Sequence, residues 1–596
     1  MNSALDASPD AAASPPETGL TTPAERRCIL TLLALALVLR VRYAFIYRID
    51  SDEPQHLHVV WAWATGLLQY RDVFDNHAPL FHVLCAPFFR LFGERADIII
   101  PMRLAMLGFY ALSLWSLWKI GATLFSRRVG IWAAVFAALE PRFFYTSTEF
   151  RTDDMWAATW LLMLAVLVGG RLTPRRSFCA GLLLGATFGV SMKTSLLVTA
   201  LGLSVAFTLG LQVWQAGWRV KNWGRVLAGA AAVVAGTAII PAAIIGYFAY
   251  RHALADLHYC VIEHNIVPGL KRWGGVGFHA VVFAIALPLL LAGTVLVFLA
   301  GRDLDVRRRF WRATLFLTPL LFFALLWCFW PDLTREDYLP FSPLAVVAVA
   351  APGALGIFAW LRAHARVGDA WGWLAPTAVA VIEALLILTA TKPWHNDAQR
   401  DIAAFAKILR LTKPGDYVMD GKAGAIYRPR PFYYALETIT RARMKKNLIP
   451  DNVIERMIAT RTAVASLSGL LTESAAARFV RENYVSIGAG SDDKVRVLGK
   501  VLPGATPGRA VQFEVVIGAN YAFVDDKGSA VHGMLDGTVL SGAREIAAGR
   551  HELVLDPGAP AHVAIFWENA LEKGFLPAFN DTAPASEPRP RKKHPA

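Results

Sequence analysis

Charge is scarce in this chain, and cysteine is scarcer. Asp, Glu, Lys and Arg make up 18% of its residues, against about 25% in ordinary soluble domains. The five cysteines (Cys28, Cys85, Cys179, Cys260 and Cys328) lie in or beside apolar stretches, and none lies beyond residue 328. No CxxC pair occurs, so neither a disulfide framework nor a cysteine-based zinc site is implied. Acidic residues are outnumbered, giving a net charge of +14. The Arg and Lys nevertheless fall in short clusters between apolar blocks, the pattern of the positive-inside bias rather than of a nucleic-acid surface. No nucleic-acid partner is expected.

Apolar residues are what the chain has in quantity, at 55%. Long blocks recur from Cys28 to Thr391. A bilayer core needs about 20 apolar residues per helix. Spans are predicted near 28–48, 98–119, 129–147, 154–170, 177–192, 194–214, 226–250, 279–300, 313–330, 339–360 and 372–391, or about eleven helices. Residues 1–24, rich in Ala, Ser, Pro and Thr, are expected to be disordered. The first block is too long for a signal peptide, and Tyr43, Phe45 and Tyr47 mark it as an uncleaved anchor.

With the N-terminus inside, alternate loops collect the cations. They hold Lys119, Arg127 and Arg128; Arg171, Arg175 and Arg176; Arg219, Lys221 and Arg225; Arg302, Arg307, Arg308, Arg309 and Arg312; then Arg362 and Arg366. The bias is consistent at every inside turn. It places loop 49–97, the acidic loop 148–154 and the region 392–596 on the outer, extracytoplasmic face of a cytoplasmic (inner) membrane.

The first outer loop begins Arg-Ile-Asp50-Ser-Asp52-Glu53-Pro54, setting carboxylates beside the positive end of a new helix. Val60, Trp61, Ala64 and Leu67 then fall at helical spacing, and a second such stretch runs from Pro79 to Phe92. Interfacial helices over 54–92 are predicted. The second outer loop, Thr-Ser-Thr-Glu149-Phe-Arg-Thr-Asp153-Asp154, again sets acids at a helix start. Solvated turns and helix capping explain either cluster alone. Two clusters on one face point to a shared site.

These residues resemble a known family. Asp-Glu after the first span, an aromatic and Gly-containing stretch, Pro79-Leu80 and Leu91-Phe92-Gly93 are similar to the polyprenyl-phosphate-sugar glycosyltransferases of the GT-C class. That class includes the protein O-mannosyltransferases and the bacterial aminoarabinose–lipid A transferases. Glu149 to Asp153 resembles its second acidic motif, GLLLGATFGVSMKTSLLV its Gly-rich helix pair, and Arg335-Glu-Asp-Tyr338-Leu-Pro340 its late motif. The resemblance covers roughly 28–360.

It implies a mainly α fold, a polytopic membrane helix bundle of GT-C type, to which the residue pattern beyond 391 adds a C-terminal extracytoplasmic α/β plus β-sandwich-like domain. It also implies a hexosyl- or pentosyltransferase that uses a polyprenyl-phosphate sugar and delivers it to an extracytoplasmic lipid, glycan or protein. Asp52 matches the family's catalytic acid, Glu53 is its neighbour, and Asp153 matches the second acid. Where the family often has Lys-Pro before Pro-Leu, this chain has His77-Ala78. His77 can still donate to phosphate, but with a charge that depends on pH.

The chemistry follows from the donor. Its phosphate is already a good leaving group, so the protein must hold the phosphate, deprotonate the acceptor and align it. Asp52 suits the base. Arg335, Lys193, His77 and Arg272 are candidates for the phosphate. Asp153 either orients the acceptor or, with Asp52, helps hold a divalent cation. Tyr338 and His258 complete the expected substrate contacts. His258, Glu263 and His264 share a loop, but their spacing matches no strong metal pattern.

Residues 25–391 thus form the predicted membrane module. Region 392–503 reads as α/β, 504–579 as β-rich, and the basic tail 580–596 as disordered. VQFEVVIG, YAFVDD, HELVLDPG and AHVAIFW read as strands. This outer region is either a cap or an acceptor-recognition domain. Two rival classes are a lipid-linked-glycan transporter or flippase, and a non-catalytic membrane scaffold. The first expects midplane charges in repeated halves, and the second has no use for two acidic outer loops.

Overall fold

A computed structural model of the protein describes residues 22–216, 223–267, 276–330, 334–365, 372–487, 494–503, 505–560 and 562–579. Arg272, most of the N-terminal tail and the tail from 580 lie outside them. The first helix, Pro23–Ile46, opens with proline at its first turn and Thr22 as cap, whose hydroxyl accepts from the Glu25 backbone N–H at 3.2 Å. Helix occupies the described part of every predicted span. Six described helices are long and apolar enough to cross a membrane: Pro23–Ile46, Ile99–Leu124, Thr194–Gln215, Gly224–Tyr250, Val306–Phe329 and Arg335–Arg362.

Two features fix the packing of the bundle. Buried Glu25 accepts from Arg128 Nε and Trp132 Nε1, both at 2.8 Å, tying the first helix to Arg127–Leu139. Helices Pro174–Val190 and Trp223–Tyr250 meet backbone to backbone. A methyl group at Gly181, Gly185 or Gly236 would collide with the facing helix's carbonyl oxygens. Small residues allow this close approach in lipid, where no hydrophobic driving force separates helix from tail. The Gly-rich stretch noted in the sequence therefore has a packing role. Lys193 falls in the break between Pro174–Val190 and Thr194–Ala216, outside both helices.

The two helices expected over 54–92 are present as Asp52–Thr65 and Leu80–Phe92. Above them lies the C-terminal region, held to the loops it covers. Tyr427 Oη donates to the Arg95 carbonyl at 2.9 Å, Arg428 pairs with Glu94 at 3.1 Å, and the Asp397 N–H donates to the Ile46 carbonyl at 2.9 Å.

The strands expected from the alternating sequence are Ala510–Val515, Ala519–Val524, Gly549–Leu555 and Val563–Trp567. Strand Val495–Leu502 pairs with Val464–Ser466 and Tyr484–Ser486, and also with Val563–Trp567. One seven-stranded sheet therefore crosses the boundary drawn at 503. A four-stranded sheet lies beside it, with Gly549–Leu555 between Ala510–Val515 and Gly533–Leu535.

Candidate active site

A cavity of about 420 Å³ lies where the helix Asp52–Thr65, the second acidic loop and the C-terminal region meet. Asp52, His77, Arg151, Lys193, Arg335 and Lys422 are on its wall. Its charge pattern begins with the helix Asp52–Thr65, whose first turn carries Asp52 and Glu53 at the positive end of the dipole.

The two acids behave differently. Glu53 points inward, with no exposure, and makes a two-pronged pair with Arg103: Nε to Oε1 at 2.7 Å and Nη2 to Oε2 at 2.5 Å. It also accepts from the Phe150 and Asp50 backbone N–H groups at 2.7 and 2.9 Å. With its oxygens so engaged, Glu53 holds the first acidic loop against the second. Asp52 points to the cavity. Arg151 Nη2 lies 2.9 Å from its Oδ2, and Lys422 Nζ donates to its Oδ1.

Arg151 joins the two acidic loops. It reaches Asp50 at 3.1 Å, Asp52 at 2.9 Å, Asp153 at 3.4 Å and Glu336 at 3.3 Å. Asp52 and Asp153, separate in sequence, are thus bridged by one guanidinium. The place a cation would take between them is held by Arg151, so this pair does not fit a metal ion in the present arrangement. Burial alone would raise the Asp52 carboxyl, but Arg151 and Lys422 hold it well below the usual carboxylate range. Burial, with the Glu53 carboxylate near it, raises Glu149 against the pull of Arg151 and Arg335.

The other cations stand around the same space. Lys193 Nζ lies 2.5 Å from Asp337 and 5.3 Å from the centre of the Trp330 ring. Arg335 donates to Glu149, to Asp50 at 3.1 Å and to Glu336 at 2.9 Å. His77 Nδ1 sits 2.9 Å from Asp75. Burial would lower this imidazole, but the Asp75 carboxylate outweighs it and the pKa is raised.

Two expected contacts lie elsewhere. The Tyr338 ring packs on Phe323 and Phe341 under the Arg142 guanidinium, and it does not line the cavity. Its aromatic body suits this wedge between helices. His258 is exposed and pairs with Glu263 at 3.2 Å, also away from the cavity. Residues turned inward from that loop include His264, fully buried and 3.4 Å from Glu437, and Asn265, which lines the cavity.

Arg151 and Lys422 both line the cavity, and neither is among the candidates read from the sequence. Lys422 comes from the C-terminal region. It sits in the turn Asp420-Gly-Lys-Ala-Gly424. Asp420 accepts there from the backbone N–H groups of Lys422, Ala423 and Gly424 at 2.9, 2.6 and 3.0 Å. Gly424, Ala425 and Ile426 follow with φ of 51°, 49° and 76°. A left-handed run that includes Ala and Ile is strained, and Asp420 holds the turn so that Lys422 projects onto Asp52. The Asp-Gly-Lys-Ala-Gly string was the available signal, but a tight turn alone does not say what it faces.

Residues 76–244 match the family model described as dolichyl-phosphate-mannose-protein mannosyltransferase. No curated protein sequence matches the chain significantly. Among solved structures, ArnT from Cupriavidus metallidurans in its apo state superposes with a TM-score of 0.55 at 14% identity, over 80% of this chain and 98% of that one. The same protein bound to undecaprenyl phosphate gives 0.53 at 14%, over 79% and 97%. The apo oligosaccharyltransferase of Archaeoglobus fulgidus gives 0.42 at 11%, over 74% and 69%. The chain is a multi-pass membrane protein with the GT-C fold, and it resembles the polyprenyl-phosphate-sugar glycosyltransferases of that class.

Proposed function

We propose that this protein transfers a sugar from a polyprenyl-phosphate carrier to an acceptor on the extracytoplasmic face. The observation that carries this reading is the joining of Asp52 and Asp153 by Arg151 at one cavity, with Lys193, Arg335, His77 and Lys422 close by. ArnT, similar in fold, binds undecaprenyl phosphate, and a ligand of that class suits a cation-rimmed space above interfacial helices. The loop charges put the cavity outside and the Arg clusters inside.

Asp52 is the base, and its resting partners explain how it is kept in reserve. A carboxylate held by both Arg151 and Lys422 is fully ionised but weakly basic. A donor phosphate entering the cavity competes for Lys422. Once Lys422 turns to the phosphate, Oδ1 of Asp52 is free to accept the proton of the attacking hydroxyl or amine. Attack at the anomeric carbon then inverts it, and the lipid phosphate departs against Lys422, Lys193 and His77. Asp153 keeps Arg151, and through it Asp52, in place. Glu53 positions this loop by way of Arg103.

The test is transfer by purified protein from a panel of synthetic lipid-phosphate sugars, with Asp52→Asn and Glu53→Gln alongside. Full transfer by a well-folded Asp52→Asn would sink the base assignment. Turnover of none of the lipid-phosphate donors would sink the reaction class.

A further inference from the structure

Beside the Asp52–Arg151 pair lies a second polar cluster, of which the proposed sugar transfer uses only His77. His56 stands one turn beyond Asp52 on the same face of the interfacial helix. Asp75 and His77 lie in the loop leading to the next helix. One ligand-type atom from each of the three lies within 4.8 Å of the others. The His56 ring has no exposure, and its Nε2 has no hydrogen-bond partner among the described residues. Buried polar atoms are nearly always paired, so an unpartnered ring nitrogen aimed at Asp75 and His77 is a candidate donor to a ligand.

The surroundings match a metal site's outer layer. His56 Nδ1 lies 3.0 Å from His82 Nε2, which fixes the ring and, with Nδ1 as donor, leaves the Nε2 lone pair free. Gln69 Nε2 donates to Asp75 Oδ2 at 2.8 Å, while Asp75 Oδ1 sits 2.9 Å from His77 Nδ1. Burial keeps His82 down at a pKa of about 4, so it is a neutral partner. His77 is the most open of the three, its side chain 30% exposed on the cavity wall. Asp153 and Glu437 add a negative field at His77.

We propose that His56, Asp75 and His77 bind a divalent ion of the zinc class, whose open fourth position faces the cavity. Two imidazoles and one carboxylate form a three-ligand set of the kind that leaves a position for an outside oxygen. Tetrahedral binding brings the donor atoms to about 3.3 Å from one another, so the cluster contracts by an ångström or so and His77 exchanges its bond to Asp75 for one to the ion. The ion's role rests on the proposed lipid-phosphate donor. At the position where similar proteins often carry a lysine, His77 brings a metal, and the metal supplies the positive charge for the phosphate. This site differs from the Asp52–Asp153 pair, which Arg151 occupies.

The experiment separates binding from role. Protein purified in detergent is stripped with chelator and titrated with Zn²⁺, then with Co²⁺ to read ligand geometry by its visible spectrum. One tightly bound equivalent is expected, with a tetrahedral nitrogen–oxygen cobalt spectrum. His56→Ala and Asp75→Asn, each checked by circular dichroism and gel filtration, lose it. His77→Lys also loses the equivalent, and its binding of a short polyprenyl phosphate becomes insensitive to chelator, whereas the parent's weakens at least tenfold on stripping. No stoichiometric ion in the parent overturns the site, as does an ion retained by His56→Ala or one with a thiolate spectrum. An ion that binds while chelation leaves polyprenyl-phosphate affinity unchanged overturns the role. Metal binding by a protein that turns over no lipid-phosphate sugar refutes the transferase reading and leaves the site intact.

Discussion

The cavity has two walls of different character. The membrane side is cross-linked: Glu53 with Arg103, Arg151 with five carboxylates, and Arg335 with Glu149, Asp50 and Glu336. The outer side is the C-terminal region. It contributes Lys422, Glu437, Thr438 and Ile439 to the wall, with Lys422 on a strained turn. Buried, mutually paired charges give a fixed frame, because moving one leaves another uncompensated. A single lysine on a turn has no such constraint and can exchange partners. Under the proposed reaction, the membrane wall holds geometry and the wall from the C-terminal region exchanges partners with the donor.

Substitutions can break or sharpen this contrast. Asp52→Asn on the membrane wall carries the largest expected effect on rate, a loss of about 10²–10⁴-fold in transfer, measured with saturating donor. Arg103→Ala acts on the frame. It strands Glu53 without exposure and costs about 3–5 kcal/mol of stability, read as a lowered melting temperature in detergent. Lys422→Ala acts on the responsive wall. It weakens donor binding about tenfold, in line with loss of one charge-assisted contact, while the melting temperature changes little. Equal destabilisation by Lys422→Ala and Arg103→Ala would erase the distinction.

Acid offers a subtler probe. The Asp52 carboxyl is depressed in the folded protein, so its pairing stabilises above the unfolded value of about 3.9 and fades as pH falls through the folded value. The melting difference between the parent and Asp52→Asn should narrow below about pH 4. The smallest effects belong to residues the fold turned away. Tyr338→Phe keeps the ring that packs on Phe323, and His258→Ala removes an exposed pair; each should change stability by less than about 0.5 kcal/mol.

The sequence showed the membrane helices well, because lipid requires long apolar runs and those are local. The two acidic loops were visible for the same reason, as charge beside a span. It did not separate Asp52 from Glu53. Adjacent residues on a helix point about 100° apart, and only the position of Arg103 decides which is buried. Tyr338 and His258 looked alike as polar aromatic groups near the outer face, yet one is wedged between helices and the other faces solvent. Nothing local distinguishes such fates.

What the chain by itself determined was therefore solvent preference: which stretches lie in lipid, which carboxylates stay at its edge, and where strands alternate. Tertiary structure alone decided which charges meet. Arg151 joins loops about a hundred residues apart, Lys422 arrives on Asp52 from the far C-terminal region, and His56 is left with a bare nitrogen beside Asp75 and His77. Hydrophobic patterning acts over a few helical turns, whereas charge pairing and metal-ligand geometry depend on distances of a few ångströms that exist only once the chain has folded.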